Sequence, residues 1–242
     1  MAGGTRPDLR TDTRDGRGVA RRELGRLRGM ISAVVFDVGE TLTYDRRFWG
    51  GWADWLDVPH HTLSALVGAV VAQGRDNAEA LRLIRPGIDV RAEYEARERA
   101  GRGEQIADED LYPDVRRALA GLRELGLWVG VAGNQTVRVA ELLRKLELPA
   151  DAVATSGEWG VAKPQREFYE QVAAWAGRPP SEILYVGDHP QNDIIPARAA
   201  GLRTAHLRRG PWGYLYADTG QAAQADWRID SLDELPILLA PA

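Results

Sequence analysis

Five short, largely apolar runs punctuate the chain at Ser32–Phe36, Trp128–Ala132, Ala152–Thr155, Ile183–Val186 and Arg203–Leu207. Each has the length of a strand, and continuous apolar runs predict strands buried on both faces. Helical patterns separate them. Pro113 opens one that runs to about Leu125 and stops at Gly126, with Asp114 in its acidic first turn. Others are predicted over about Val137–Leu146 with Thr136 as N-cap, over Pro164–Ala176, and over Asn192–Ala200 closed by Gly201. Strand and helix therefore alternate after residue 110, which predicts right-handed crossovers and a parallel α/β sheet covered on both faces.

Residues 46–110 break this rhythm. No strand pattern appears there, and the stretches around 48–57, 62–73, 77–84 and 89–100 all read as helices. Ligands of open α/β sheets bind outside the carboxyl ends of the strands, where this insertion leaves the chain, so a helical cap over the site is expected. The expected organisation is a tail over 1–30, a core made of 31–45 and 111–242, and a cap over 46–110. Trp49, Trp52 and Trp55 recur every three residues on one helical arc. They read either as an aromatic wall over a ligand or as the cap's own small core. Arg82, Arg85, His60 and His61 read either as contacts for an anion or as solvated side chains, and Gly210–Gly213 reads as a structured loop without a role.

Composition bounds the possibilities. With 242 residues, 44% hydrophobic and 27% charged, the chain can bury one substantial core and a smaller inserted unit. No apolar stretch approaches the roughly 18 residues of a membrane span, and no secretory signal pattern follows the basic start, so no membrane association and a cytoplasmic location are expected. The absence of cysteine excludes disulfides, thiolate metal sites and cysteine nucleophiles. Residues 1–30 hold eight arginines against four acids, a net +4 that leaves −8 on the remainder. That tail reads as a disordered arm, with Met30 as an alternative start, and the acidic body argues against nucleic-acid binding.

The candidate chemistry lies where the strands end. Asp37 follows the first apolar run, Asp188 follows the fourth, and Asp193 comes five residues later near a helix start. Alone, each reads equally well as a turn-forming residue. Three carboxylates gathered at one sheet edge would raise one another's pKa unless a cation neutralised them, and a hard divalent ion with oxygen ligands, Mg²⁺ above all, meets that need.

Phe36-Asp37-Val38-Gly39-Glu40-Thr41-Leu42, Gly133-Asn134, Lys163-Pro164, and Gly187-Asp188 with Asn192-Asp193 stand in this order along the chain. The ordered set resembles the haloacid dehalogenase superfamily of hydrolases over essentially residues 31–240. The resemblance implies a Rossmann-like parallel-sheet core with a small α-helical cap and a small phosphorylated metabolite as substrate. It implies Asp37 as the nucleophile that forms an aspartyl-phosphate, and Lys163 as the charge that offsets it. It further implies Mg²⁺ held by Asp37, the Gly39 carbonyl, Asp188 and Asp193, with phosphoryl contacts from the backbone of Gly133 and Asn134.

Two positions depart from the family pattern. Gly39 stands where its phosphatases usually carry a second Asp that protonates the leaving oxygen, and Gly133 stands where they carry a Ser or Thr. Loss of a general acid costs about 10²–10⁴ in rate and matters least for good leaving groups. Glu40 and His189 are the nearby replacements the sequence offers. A catalytically weakened protein that binds a phosphorylated ligand or a partner, and a metal-independent dehalogenase, are the alternative readings.

Overall fold

All four residues of β1 (Ala33–Phe36) are buried, and their alternation leads into two separate cores. Val34 and Phe36 face one cluster while Ala33 and Val35 face the other, the period of two that a strand imposes. The structure is a computed structural model that describes residues 31–241, so the arginine-rich tail and Met30 lie outside the described residues. β1 pairs in parallel with β2 (Trp128–Gly133) on one side and β4 (Ile183–Gly187) on the other. With β3 (Ala152–Thr155), β5 (Arg203–Leu207) and β6 (Trp227–Ile229) the sheet runs β3-β2-β1-β4-β5-β6, parallel throughout. The five predicted strands are all present. β6 is the addition: it has three residues, of which only Trp227 and Ile229 are buried, too short an alternation to read from sequence.

Between β1 and β2 the chain forms α1 (Arg46–Leu56), α2 (His60–Val71), α3 (Glu79–Ile84) and α4 (Val90–Arg99). Trp52, Leu63, Val67, Val70 and Leu81 build a third cluster there, separate from the two sheet cores. The remaining helices are α5 (Val115–Glu124), α6 (Val137–Lys145), α7 (Ser156–Trp159), α8 (Arg166–Ala176), α9 (Ile195–Ala199), α10 (Gly210–Tyr216) and α11 (Glu234–Leu239). α5, α6 and α11 cover the Val34 face, and α8 and α9 cover the other. Thr136 caps α6 through its side chain, which accepts the Val139 N–H.

Four local expectations are corrected. The helix expected over 192–200 begins instead as a wide π-type turn, Pro190–Ile194, and only Ile195–Ala199 is α-helical. Pro196 has no N–H for the Asn192 carbonyl, which accepts the Tyr169 hydroxyl instead. α8 starts at Arg166, so Pro164, joined to Lys163 by a cis peptide, precedes the first turn and does not occupy it. α5 starts at Val115 and not at Pro113, so Asp114 precedes its first turn, and its carboxylate accepts from Ser231 Oγ, the Leu232 N–H and Arg209. The Gly210–Gly213 stretch is the first turn of α10, and its Trp212 packs into the cluster of the inserted helices.

Candidate active site

In the strand order, β1 is followed by β2 and β3 on one side and by β4 to β6 on the other. Crossovers leave in opposite directions at this point, which opens a crevice at the carboxyl ends of β1 and β4. Asp37 directly follows β1 and Asp188 directly follows β4, so the two carboxylates come from neighbouring strand ends. The Asp37 N–H donates to the Val186 carbonyl at 2.9 Å, and His206 Nε2 bonds to the Asp188 carbonyl at 3.0 Å. Lys163 comes from the loop before α8 and places Nζ 2.6 Å from Asp37 Oδ1 and 2.7 Å from Asp193 Oδ1. The second Asp193 oxygen accepts the His189 N–H at 2.9 Å. Oxygens of Asp37, Asp188 and Asp193 lie within 4.8 Å of one another.

Charge does not balance in this cluster. Three buried carboxylates face one lysine, and among the described residues no ion pair reaches Asp188. Burial, then the negative charges of Asp193 and Asp37, push the Asp188 carboxyl well above its usual range. Burial also raises Asp37, although Lys163 draws it back. For Lys163 burial opposes the charge, but Asp193 and Asp37 outweigh it and hold the ammonium above the ordinary lysine value. A divalent cation fits such a donor set, because it neutralises carboxylates that water no longer solvates.

Each of the two glycines that depart from the family pattern stands against a carboxyl group. A Cβ on Gly133 would lie 2.3 Å from Asp37 Oδ1, so a larger residue here would require the carboxylate to shift. A Cβ on Gly39 would lie 3.0 Å from Asp45 Oδ1 and 3.6 Å from its Oδ2. The carboxyl of Asp45, eight residues after Asp37, thus fills the room into which a side chain at position 39 would project. Burial, with Glu40, Asp37 and Glu104 nearby, raises the Asp45 carboxyl well above its usual range. Gly133→Ala is expected to displace Asp37 and lower kcat by about 10²-fold, the scale of a misplacement near 1 Å. Steady-state kinetics beside a circular-dichroism melt checks this, since a merely unfolded variant would lose its cooperative transition.

Asn134 clasps the lysine loop: its Nδ2 donates to the Lys163 carbonyl at 2.9 Å, and its Oδ1 accepts the Lys163 N–H at 2.8 Å. Its side chain is therefore engaged with Lys163, and only its backbone remains for a ligand. Of the replacement acids offered by the sequence, Glu40 adopts the left-handed conformation at φ 51°. One of its oxygens accepts the Asp45 N–H and the other accepts the Tyr112 hydroxyl. His189 stacks on Trp212 with ring centroids 3.7 Å apart, and burial followed by the charge of Lys163 lowers its pKa to about 4, so it is uncharged at neutral pH.

Asp37, Lys163, Asp188, Asn134, Gly39 and Asp45 line a pocket of about 140 Å³. It shares Gly39, Asp45 and Trp212 with an adjoining cavity of about 330 Å³ that reaches Trp49 and Tyr94 in the inserted helices. The tryptophan stripe divides accordingly. Trp52 is fully buried against Tyr94, Trp55 donates to Glu93, and Trp49 alone faces the cavity. Arg82 and Arg85 pair with Glu79 and Glu93, and His60 pairs with Asp54; none of the three lines the cavity. Sequence reasoning missed Asp45 and Trp212. An Asp just before a helix reads as a cap, yet Asp45 makes no side-chain cap bond; Trp212 was hidden inside a Gly-Pro-Trp-Gly stretch that reads as a loop.

Comparison with known proteins agrees with this geometry. The family model for haloacid dehalogenase-like hydrolases matches residues 31–201. Glyceraldehyde 3-phosphate phosphatase of Methanocaldococcus jannaschii is 34% identical over 127 residues, 51% of this chain and 54% of that protein. Phosphoserine phosphatase of Thermus thermophilus is 34% identical over 106 residues, 41% of each chain. The chain spans about half the length of the curated relatives it matches. Among solved structures, a HAD phosphatase from Thermococcus onnurineus superposes on 86% of this chain and 98% of its own, with TM-score 0.56 and 21% identity. A dehalogenase in an intermediate complex superposes on 87% of this chain and 98% of its own, with TM-score 0.60 and 22% identity. At such identities the structural likeness is one of fold. No helix among the described residues is long and apolar enough to cross a membrane. With the sheet order, the strand-end aspartates and a family match over most of its length, the chain belongs to the haloacid dehalogenase-like hydrolases.

Proposed function

We propose that this protein is a Mg²⁺-dependent phosphohydrolase acting on a small phosphorylated substrate through Asp37. One observation carries the reading: Lys163 bridges Asp37 and Asp193 while Asp188 completes a group of three carboxylates within 4.8 Å. Phosphatase relatives support the same chemistry. Asp37, the Gly39 carbonyl, Asp188 and Asp193 would hold Mg²⁺, which supplies positive charge opposite the phosphoryl oxygens. An oxygen of Asp37 attacks phosphorus and the bond to the leaving oxygen breaks. Asp45 gives its proton to that oxygen, and as carboxylate it takes a proton from the water that then attacks phosphorus and frees Asp37. Lys163 balances the charge of Asp37 and of the transferring group, and the backbone of Gly133 and Asn134 faces the phosphoryl oxygens. The helices over 46–110 act as a cap that shelters these steps.

The expected result is phosphate release from acetyl phosphate and aryl phosphates that stops when Mg²⁺ is chelated; halide release from a haloacid under chelation would favour the dehalogenase reading instead. Stability provides an independent test. Because Asp37 and Asp188 are raised in the fold, the metal-free protein binds more protons folded than unfolded. The corresponding stability is complete below the unfolded carboxylate pKa of about 3.9 and declines as pH rises through the raised folded values. Mg²⁺ opposes that decline. At about a hundredfold over Kd it is expected to raise Tm by roughly 5–10 °C at pH 7 and by less at pH 5, as read by calorimetry.

A further inference from the structure

The cavity beyond the Asp37 pocket is where a leaving group would lie, so its wall bears on which phosphate esters fit. Phe48, Trp49 and Tyr94 form one aromatic side, with Phe48 and Trp49 edge to face at 4.9 Å and Phe48 and Tyr94 at 6.4 Å. The acidic groups on the wall are Asp45, Asp76, Glu104 and Asp110, of which burial pushes Asp45 and Glu104 toward the neutral form, and the single cation is Arg47. Arg47 is already taken. Its Nε sits 2.7 Å from Asp110, and its NH2 group donates to Glu109 at 2.7 Å. Lys163, in the pocket behind, is spent on Asp37 and Asp193. Among the described residues, no unpaired lysine or arginine lines the cavity. Side-chain amides of Gln105 and Gln135 complete the wall with neutral hydrogen-bonding groups.

We propose that the site takes phosphate monoesters whose leaving group is an aromatic ring without negative charge, and refuses esters that carry a second anion. The inference rests on the phosphohydrolase reading above. A carboxylate or second phosphate would exchange its hydration for a wall that holds acidic groups and no free cation, which is unfavourable. A flat uncharged ring exchanges water for aromatic faces, which is favourable. This separates the protein from any relative whose substrate carries a second acidic group on the leaving side.

Phenyl phosphate and 4-carboxyphenyl phosphate form a matched test, since they differ by one anion on the same ring, and acetyl phosphate tests phosphoryl transfer without using the cavity. The expected kcat/KM for phenyl phosphate exceeds that for its carboxylated analogue by about 10²-fold. Gln105→Lys, which adds a cation to the wall, is expected to shrink that ratio by about tenfold. Equal kcat/KM for the two aryl esters, with acetyl phosphate hydrolysed normally, would overturn the inference and leave the phosphohydrolase reading standing. A ratio unchanged by Gln105→Lys would equally count against charge as its origin. If acetyl phosphate itself is not hydrolysed with Mg²⁺ present, the phosphohydrolase reading fails and this inference falls with it.

Discussion

Asp37→Asn is expected to lower kcat by at least ~10⁴-fold on every phosphate ester, the scale seen when a nucleophile is removed from a preorganised site. The substitution keeps the shape of the side chain and leaves Lys163 with Asp193, so the loop before α8 stays in place. What disappears is the anionic carboxylate oxygen that attacks phosphorus, because the neutral amide oxygen is a far weaker nucleophile and its adduct is not an acyl phosphate. Stability is expected to move the other way. Asp37 is one of three crowded, buried carboxylates, and neutralising it relieves repulsion in the metal-free protein. A variant that is inactive yet melts no lower than the wild type distinguishes a lost nucleophile from a damaged fold. An inactive variant with a collapsed melting transition would not support the assignment.

Asp45→Asn is expected to act selectively. If the Asp45 carboxyl protonates the leaving oxygen, its loss costs about 10²–10⁴ for alkyl esters, whose alkoxides leave poorly, and less than about tenfold for acetyl phosphate. A plot of log kcat/KM against leaving-group pKa should therefore be shallow for the wild type and steep for the variant. A purely structural role would lower all substrates alike. The proposed role of this residue rests on its position: the Asp45 oxygens stand 3.0 Å and 3.6 Å from where a Cβ on residue 39 would be. A carboxyl group thus stands beside position 39 although the residue there is glycine.

The strands were legible because β1, β2 and β4 are buried on both faces and write themselves as apolar runs. β6, with three residues at the sheet edge, leaves no comparable signature. Asp37, Lys163, Asp188 and Asp193 were legible for a related reason: Asp37 and Asp188 end such runs, and the family's motif order marks the other two. Position-by-position comparison could see only what Gly39 and Gly133 lack. It could not see that neighbouring carboxylates occupy the vacated space, since that depends on where the chain returns after β1. Trp212 was missed on similar grounds. Its Nε1 donates to Asn77 Oδ1 at 2.8 Å across 135 residues of sequence, a contact no local pattern encodes.

The central claim is that Asp37 carries the phosphoryl group. Rapid acid quench of the wild-type protein turning over acetyl phosphate with Mg²⁺, followed by peptide mass spectrometry, tests it most directly. The predicted result is one phosphoryl group on the peptide containing Asp37, absent under chelation and absent in Asp37→Asn. Sustained phosphate release with no adduct on that peptide, or with the adduct on another residue, would contradict it.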